Sequence, residues 1–269
     1  MSRCMTSISQ SSFIHHCCSA APRLGRHCLR ALYAVLLSTV LIDNPIQAQE
    51  PTLILTTEDY PSFNIINPDT QEINGISTEK LIELMRRAGE RITINAYPWA
   101  RSYQMGQKDP NTCVFSTTRT PQRENLFKWV GPLVKNNWVI FARADDKRHP
   151  KKLDDLRSYV IGAYRKGAVS EYLTYNGFNI DIANYDAENP RKLLYGRFDF
   201  WATGGRLGMT LIKNQGLTGK IVPLFQFNQV ELYLACNPAI EQSRIDRFNH
   251  ILREMEKDGT AAAIDNKYK

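Results

Sequence analysis

Histidine and cysteine are scarce in most of this chain. Five His and six Cys occur in 269 residues, and beyond residue 48 only His149, His250, Cys113 and Cys236 remain. His149 lies in a charged linker and His250 on a predicted C-terminal helix, so neither is placed as a general base. No nucleophile has a base at a recognisable spacing, and no His, Cys, Asp and Glu spacing suits a metal. These shortages argue against catalysis, a metal and a cofactor. Two Cys are also too few for a disulfide framework. An exported chain can join Cys113 to Cys236, but sequence alone does not supply the geometry a bridge needs.

Long runs of one kind are absent too. The 34 Lys and Arg against 27 Asp and Glu give a formal net charge of +7. Four of those Arg and one Asp precede residue 49, which leaves a net of +4 with no basic run. Dispersed charge of that size excludes nucleic acid as the expected partner. There is no internal repeat and no low-complexity tract. After Ile42 no apolar stretch approaches the ~20 residues of a membrane-spanning helix. The run over 31–42 is itself too short to span. It follows Arg23, Arg26 and Arg30 and precedes Ile46-Gln47-Ala48, which is the order of a secretory signal cleaved after Ala48. An uncleaved anchor is the alternative. No lipobox precedes Cys28. Residues 1–48 thus read as a signal peptide with an N-terminal extension. The remainder reads as a periplasmic monomer without stable membrane insertion after signal cleavage.

What is present alternates between two periodicities. Apolar, β-branched runs over 52–57, 92–97 and 112–116 predict strands. Between them, 77–88 predicts a helix with Leu81, Met85 and Ala88 on one face, Ile82 beside them, Ser77 as its cap and Gly89 as its stop. A short helix is predicted over 100–107. This order argues for a mostly parallel sheet covered by helices. A strand over 138–142 breaks the alternation, and a charged linker over 143–152 follows. A second α/β stretch then has strands over 159–163, 179–183, 198–203 and 220–225. Its helices fall over 169–176, 188–195 and 206–214. One more strand over 231–236 and an amphipathic helix over 240–257 close the chain.

In open α/β sheets ligands bind beyond the carboxyl ends of the strands. Those ends carry aromatics (Tyr60, Trp99), hydroxyls (Thr118, Ser170) and forked cations (Arg101, Arg119, Arg123, Arg206) that match a carboxylate in bidentate fashion. Gly167 and Ala168 open a predicted helix whose free N–H groups favour an anion. Gly204-Gly205 follows another strand. Each residue also has an ordinary reading: Trp99 as core, Arg101 paired with Asp109, Arg123 paired with Glu124 or a neighbouring acid, Gly204-Gly205 as a tight turn. Their joint placement at strand ends points to the binding of a small anionic molecule.

The motifs Tyr60-Pro61-Ser62-Phe63, Pro98-Trp99-Ala100-Arg101, Ser116-Thr117-Thr118-Arg119-Thr120-Pro121-Gln122-Arg123-Glu124 and Trp129-Val130-Gly131-Pro132-Leu133 occur in that order. With them the chain resembles family 3 periplasmic solute-binding proteins, the extracytoplasmic receptors of polar amino acid ABC transporters. The resemblance covers nearly all of the chain beyond residue 48. It implies an α/β, two-lobed fold with two hinge strands and a ligand cleft between the lobes. Lobe 1 would comprise 49–141 and 229–269, and lobe 2 would comprise 142–228. It implies that Arg123 grips a ligand carboxylate, assisted by Thr118 and by N–H groups near Gly167 and Ala168, with Trp99 and Tyr60 flanking the ligand. It also implies an ABC permease as candidate partner. The family often has an Asp that receives the ligand's ammonium group where this chain has Gly204. Glu58, Asp59 or Glu231 would then take the role, or the solute is another small carboxylate rather than an ordinary amino acid. Two further alternatives are a dehydratase-like enzyme acting on small carboxylates on the same fold, and a ligand-sensing module without a transporter.

Overall fold

The computed structural model describes residues 51–268; the signal-peptide expectation for 1–48 lies outside the described residues. Strand β1 (Leu53–Thr57) is a run of three apolar residues and two buried threonines, paired with a neighbour on each edge. Its parallel neighbours are β4 (Ile92–Ala96) and β5 (Thr112–Thr118). On one face Leu53 and Leu55 pack with Leu81, Leu84 and Met85 of helix α1 (Ile76–Ala88). Phe248, Leu252 and Met255 of α6 (Gln242–Lys257) complete that core. On the other face Trp99 and Tyr103 of α2 (Trp99–Lys108) pack with Val114, Phe127 and Trp129.

Two local expectations for α1 are corrected. Ser77 is not its cap: Gly75 is, at φ 113°. A Cβ there would fall 2.4 Å from the Phe63 carbonyl oxygen, so only glycine admits this close approach. Leu84, not Ile82, completes the inner face, and Ile82 is 45% exposed. Gly89 ends the helix in the left-handed conformation as expected. Between β1 and α1 a small hairpin forms from β2 (Ile65–Ile66) and β3 (Ile73–Asn74).

The second half repeats the theme. Strand β7 (Val160–Tyr164) lies between parallel β8 (Asn179–Ala183) and β9 (Phe200–Gly204). Helices α3 (Ala168–Tyr175), α4 (Asn189–Leu194) and α5 (Gly205–Asn214) alternate with these strands. Ile140, Ile161, Leu173 and Phe200 form one core of this half, and Phe141, Leu193, Trp201 and Ile212 form another.

With β6 (Lys128–Arg143) and β10 (Ile221–Cys236), eight of the ten described strands share one sheet in the order β4-β1-β5-β10-β6-β9-β7-β8. It is mixed rather than mostly parallel. Its two parallel ends are joined by β6 and β10, which pair antiparallel with each other along their length. Sequence reading recovers only fragments of both. The polar stretches Lys135-Asn136-Asn137 and Gln226-Phe227-Asn228-Gln229 break the apolar pattern, and β10 changes register there. At about 3.3 Å per residue, 16 residues span roughly 50 Å. These are the two strands that link the halves of a two-lobed α/β fold. Cys113 and Cys236 face each other across β5 and β10 and form a disulfide. A final helix, α7 (Thr260–Asn266), follows Gly259. Among the described residues no helix is long and apolar enough to cross a membrane.

Candidate functional site

The strand-end rule concentrates polar groups where the two halves face each other. From the first half come Glu58 and Tyr60 after β1, Trp99 at the start of α2, Ser116 and Thr118 in β5, and Arg123 beyond it. From the second come Tyr164 at the end of β7, Ala168 and Val169 at the start of α3, and Gly204 at the end of β9. These residues and Trp138 of β6 enclose a central void of about 20 Å³, room for about one water molecule. The crevice is therefore closed on itself in this conformation.

Arg123 is the centre of the closure. It is 1% exposed. Its Nε donates to Glu171 Oε2 at 2.9 Å and its Nη2 to the Lys166 carbonyl at 2.9 Å. Nη2 also lies 2.8 Å from Glu171 Oε2 in an ion pair. The guanidinium sits 4.8 Å from the Tyr103 ring centre. Trp99 Nε1 donates to the same Lys166 carbonyl at 2.6 Å. Lys166 supplies that oxygen because it adopts a left-handed φ of 60° just before α3. A buried guanidinium needs such partners, since an unpaired buried charge is costly.

Acids gather on the opposite wall. Tyr164 Oη donates to Glu58 Oε1 at 3.1 Å. Burial pushes the Glu58 carboxyl up to about 8; the Tyr164 bond opposes the shift, and Asp186 and Asp59 add to it. Asp186 is 7% exposed and accepts bonds from Thr203, Asn189 and Trp201. Burial raises it to about 6 against those bonds. Glu58, Trp99 and Tyr164 also wall a neighbouring cavity of about 340 Å³, with Tyr97, Tyr185 and Asp186. A groove of about 680 Å³ lies to the other side, past Trp138 and Ala168.

Gly204 has a physical reason for being glycine. A Cβ there would stand 2.4 Å from Tyr60 Oη and 3.1 Å from Asn136 Oδ1. Tyr60 Oη accepts from Asn136 Nδ2 at 2.8 Å. The tyrosine and its partner fill the space that a longer side chain at 204 would enter, and burial raises the Tyr60 phenol.

Of the residues singled out in the sequence, Tyr60, Trp99, Thr118, Arg123, Ala168 and Gly204 meet at the central void. Gly167 and Ser170 do not line it. Ser170 Oγ donates to the Tyr164 and Gly167 carbonyls, both at 2.8 Å, and so secures the turn into α3. Arg101, Arg119 and Arg206 stand outside the void. Arg101 lies over the Tyr97 ring at 4.1 Å rather than beside Asp109. Arg119 pairs with Glu124 and reaches the 680 Å³ groove. Arg123 turns inward to Glu171 and leaves Glu124 to Arg119. Arg206 is exposed and donates to the Tyr268 carbonyl at 3.1 Å. Tyr164, Asn136, Trp138 and Asp186 join the site without having been singled out. The carboxyl end of β8, three residues before Asp186, obeys the same strand-end rule and is the signal that points to it. Asn136 and Trp138 belong to a linking strand, where that rule has no purchase. Among the described residues no group of His, Cys, Asp and Glu can hold a metal ion.

The fold has many solved counterparts. A histidine kinase sensor domain with similarity to periplasmic binding proteins is 21% identical, with a TM-score of 0.75, over 82% of this chain and 96% of that one. An ancestral arginine-binding protein bound to arginine is 18% identical, TM-score 0.71, over 82% and 99%. The arginine-, lysine-, histidine-binding protein ArtJ from Geobacillus stearothermophilus is 17% identical, TM-score 0.70, over 81% and 95%. A comparison with curated protein sequences finds no match. The sequence profile of one family matches residues 53–269, and with that span the chain belongs to the bacterial extracellular solute-binding proteins, family 3.

Proposed function

We propose that this protein captures a small carboxylate-bearing solute by hinge closure outside the cytoplasm and presents it to an ABC permease. The observation that carries this reading is Arg123 in the crevice with a carboxylate already on its fork. Glu171 fills that position from the opposite half. A solute carboxylate offers the same charge and two oxygens for the fork, where Glu171 presents only Oε2 to Nε and Nη2, so it can take Glu171's place. Thr118 and the N–H groups that open α3 stand beside it, and Trp99 offers a flat apolar wall. Contacts from both halves bias the closed state, as a hinge mechanism requires. That several similar structures are described as arginine-binding supports an amino acid among the candidate solutes. The periplasm, reached through cleavage after Ala48, is the compartment this reading requires.

A thermal-shift screen of amino acids and small carboxylates identifies a binder through its stabilisation of the native state. With that binder, Arg123→Ala is expected to weaken affinity by about 2–5 kcal/mol in calorimetry. An unchanged Kd removes Arg123 from the site. The likeness to a kinase sensor domain favours a second reading, in which the same capture feeds a signal rather than a transporter. Co-purification of the solute-loaded protein with a permease or with a membrane kinase separates the two.

A further inference from the structure

We propose that the groove beside the crevice is a second ligand site, and that it takes a neutral saccharide of about disaccharide size. The groove measures about 680 Å³, inside the range of about 300–1,000 Å³ usual for small-molecule sites. Of the residues at the central void, Trp138 and Ala168 alone also line the groove. The proposal therefore concerns different side chains from those of solute capture and goes beyond that reading. Both halves contribute: Gln122 follows β5 of the first, and Tyr172 and Tyr175 lie on α3 of the second. Strand β10 adds Asn228 and Gln229.

The chemistry of the lining selects the occupant. Charge is balanced there, with Arg119 and Lys135 against Glu171 and Glu231. Three of the four are already engaged. Arg119 donates to both carboxylate oxygens of Glu124, Glu171 pairs with Arg123, and Glu231 accepts from Tyr233 Oη. An ion of either sign would meet as many like charges as opposite ones, and like charges brought together cost binding energy. An apolar ligand would cover four carboxamides, those of Gln122, Asn176, Asn228 and Gln229, and take their water without replacing its hydrogen bonds. A saccharide satisfies both demands. Each carboxamide offers a donor and an acceptor, which suits hydroxyl groups that both give and accept. A sugar ring also carries a face of C–H groups, and this face packs on the electron-rich face of an aromatic ring. Tyr172 and Tyr175 stand three residues apart on α3, so they are surface neighbours. The Tyr172 ring is braced by Trp138 at 5.6 Å and Phe227 at 6.3 Å between ring centres. The Tyr175 side chain is 76% exposed, and a sugar on it would cover that surface.

The test uses the full-length protein and the variants Tyr175→Ala, Gln122→Ala and Trp99→Ala. The first two change exposed groove residues and are expected to fold; circular dichroism verifies all three. The probes are maltose, cellobiose and N,N′-diacetylchitobiose, with trialanine as a peptide control. Saturation-transfer NMR detects binding and calorimetry measures it. The expected result is that at least one disaccharide binds the wild type in the millimolar range or tighter, and that trialanine does not. Tyr175→Ala and Gln122→Ala should each weaken that disaccharide at least fivefold. Trp99→Ala, which alters the crevice alone, should leave it unchanged. Tighter binding of cellotetraose than of cellobiose would support the site and identify a glycan chain, rather than a free sugar, as the source. The proposal is overturned if no disaccharide binds folded wild-type protein, or if Tyr175→Ala and Gln122→Ala bind as the wild type does. It is overturned equally if Trp99→Ala abolishes binding and Tyr175→Ala does not, since the sugar would then occupy the crevice. Solute capture is tested separately by Arg123→Ala with a carboxylate, so either reading can fail without the other.

Discussion

At Glu58 a single carboxyl couples the crevice to pH. Its folded-state value is raised from 4.5 to about 8. Between those values the folded protein holds a proton that the unfolded chain has released. Stability should therefore fall as pH rises through that window. Asp186, raised to about 6, adds to the lower part of the same fall. Melting temperatures measured without solute should decline from about pH 5 to pH 8, and Glu58→Gln should flatten the upper part. An identical slope in the variant would mean that Glu58 titrates as an ordinary exposed acid. Gly204 yields a second prediction. Gly204→Ala forces a methyl against Tyr60 Oη, and overpacking of this kind costs about 1–3 kcal/mol. Adding Tyr60→Phe should recover much of that loss in urea denaturation. If the loss is the same with and without the hydroxyl, Tyr60 does not set the identity of residue 204. Trp99, Thr118 and Arg123 were legible because each sits at the end of a recognisable strand or the start of a helix. The partnership of Glu58 with Tyr164 was not, because the two are 106 residues apart and no spacing rule relates them.

Short elements with one periodicity were legible nearly to the residue, and long elements that change surroundings were not. Strand β8 and helix α5 each live within one half, so burial gives them a uniform pattern. Strands β6 and β10 pass from one core, across the crevice, to another. Their middles are polar because they line the groove between the halves, as Lys135, Asn228 and Gln229 do. A hydrophobic pattern that switches on and off reads as two strands and a loop. The disulfide belongs to this scale as well, since it ties β10 to β5 and closes a loop with a sequence separation of 123. Loss of a disulfide that closes so long a loop typically costs about 2–5 kcal/mol. Cys113→Ala with Cys236→Ala should lower the urea midpoint accordingly, and dithiothreitol should produce a similar drop in the wild type alone. A double variant as stable as the oxidised parent would show that the sheet pairing of β5 and β10 suffices without the bond.

In the described residues the two halves meet across the crevice, and their own side chains join them there. Arg123 to Glu171, Trp99 and Arg123 to the Lys166 carbonyl, and Tyr164 to Glu58 all cross the crevice. Under the function proposed above, Glu171 is the contact that a solute carboxylate would displace. Removing it has two consequences with opposite readouts. Arg123 loses its only ion-pair partner among the described residues, so the protein without added solute should open. Glu171 is partly exposed, and solvent screening limits the bias to about 1–2 kcal/mol, a shift of roughly five- to thirtyfold in population. A carboxylate solute, in contrast, no longer competes with a protein carboxylate for the guanidinium. Glu171→Ala should therefore enlarge the solute-free radius of gyration in small-angle scattering, and a saturating carboxylate-bearing solute should restore the compact value. Equal radii for wild type and variant without solute would show that Glu171 does not hold the crevice shut, and would leave closure to the backbone contacts at Lys166.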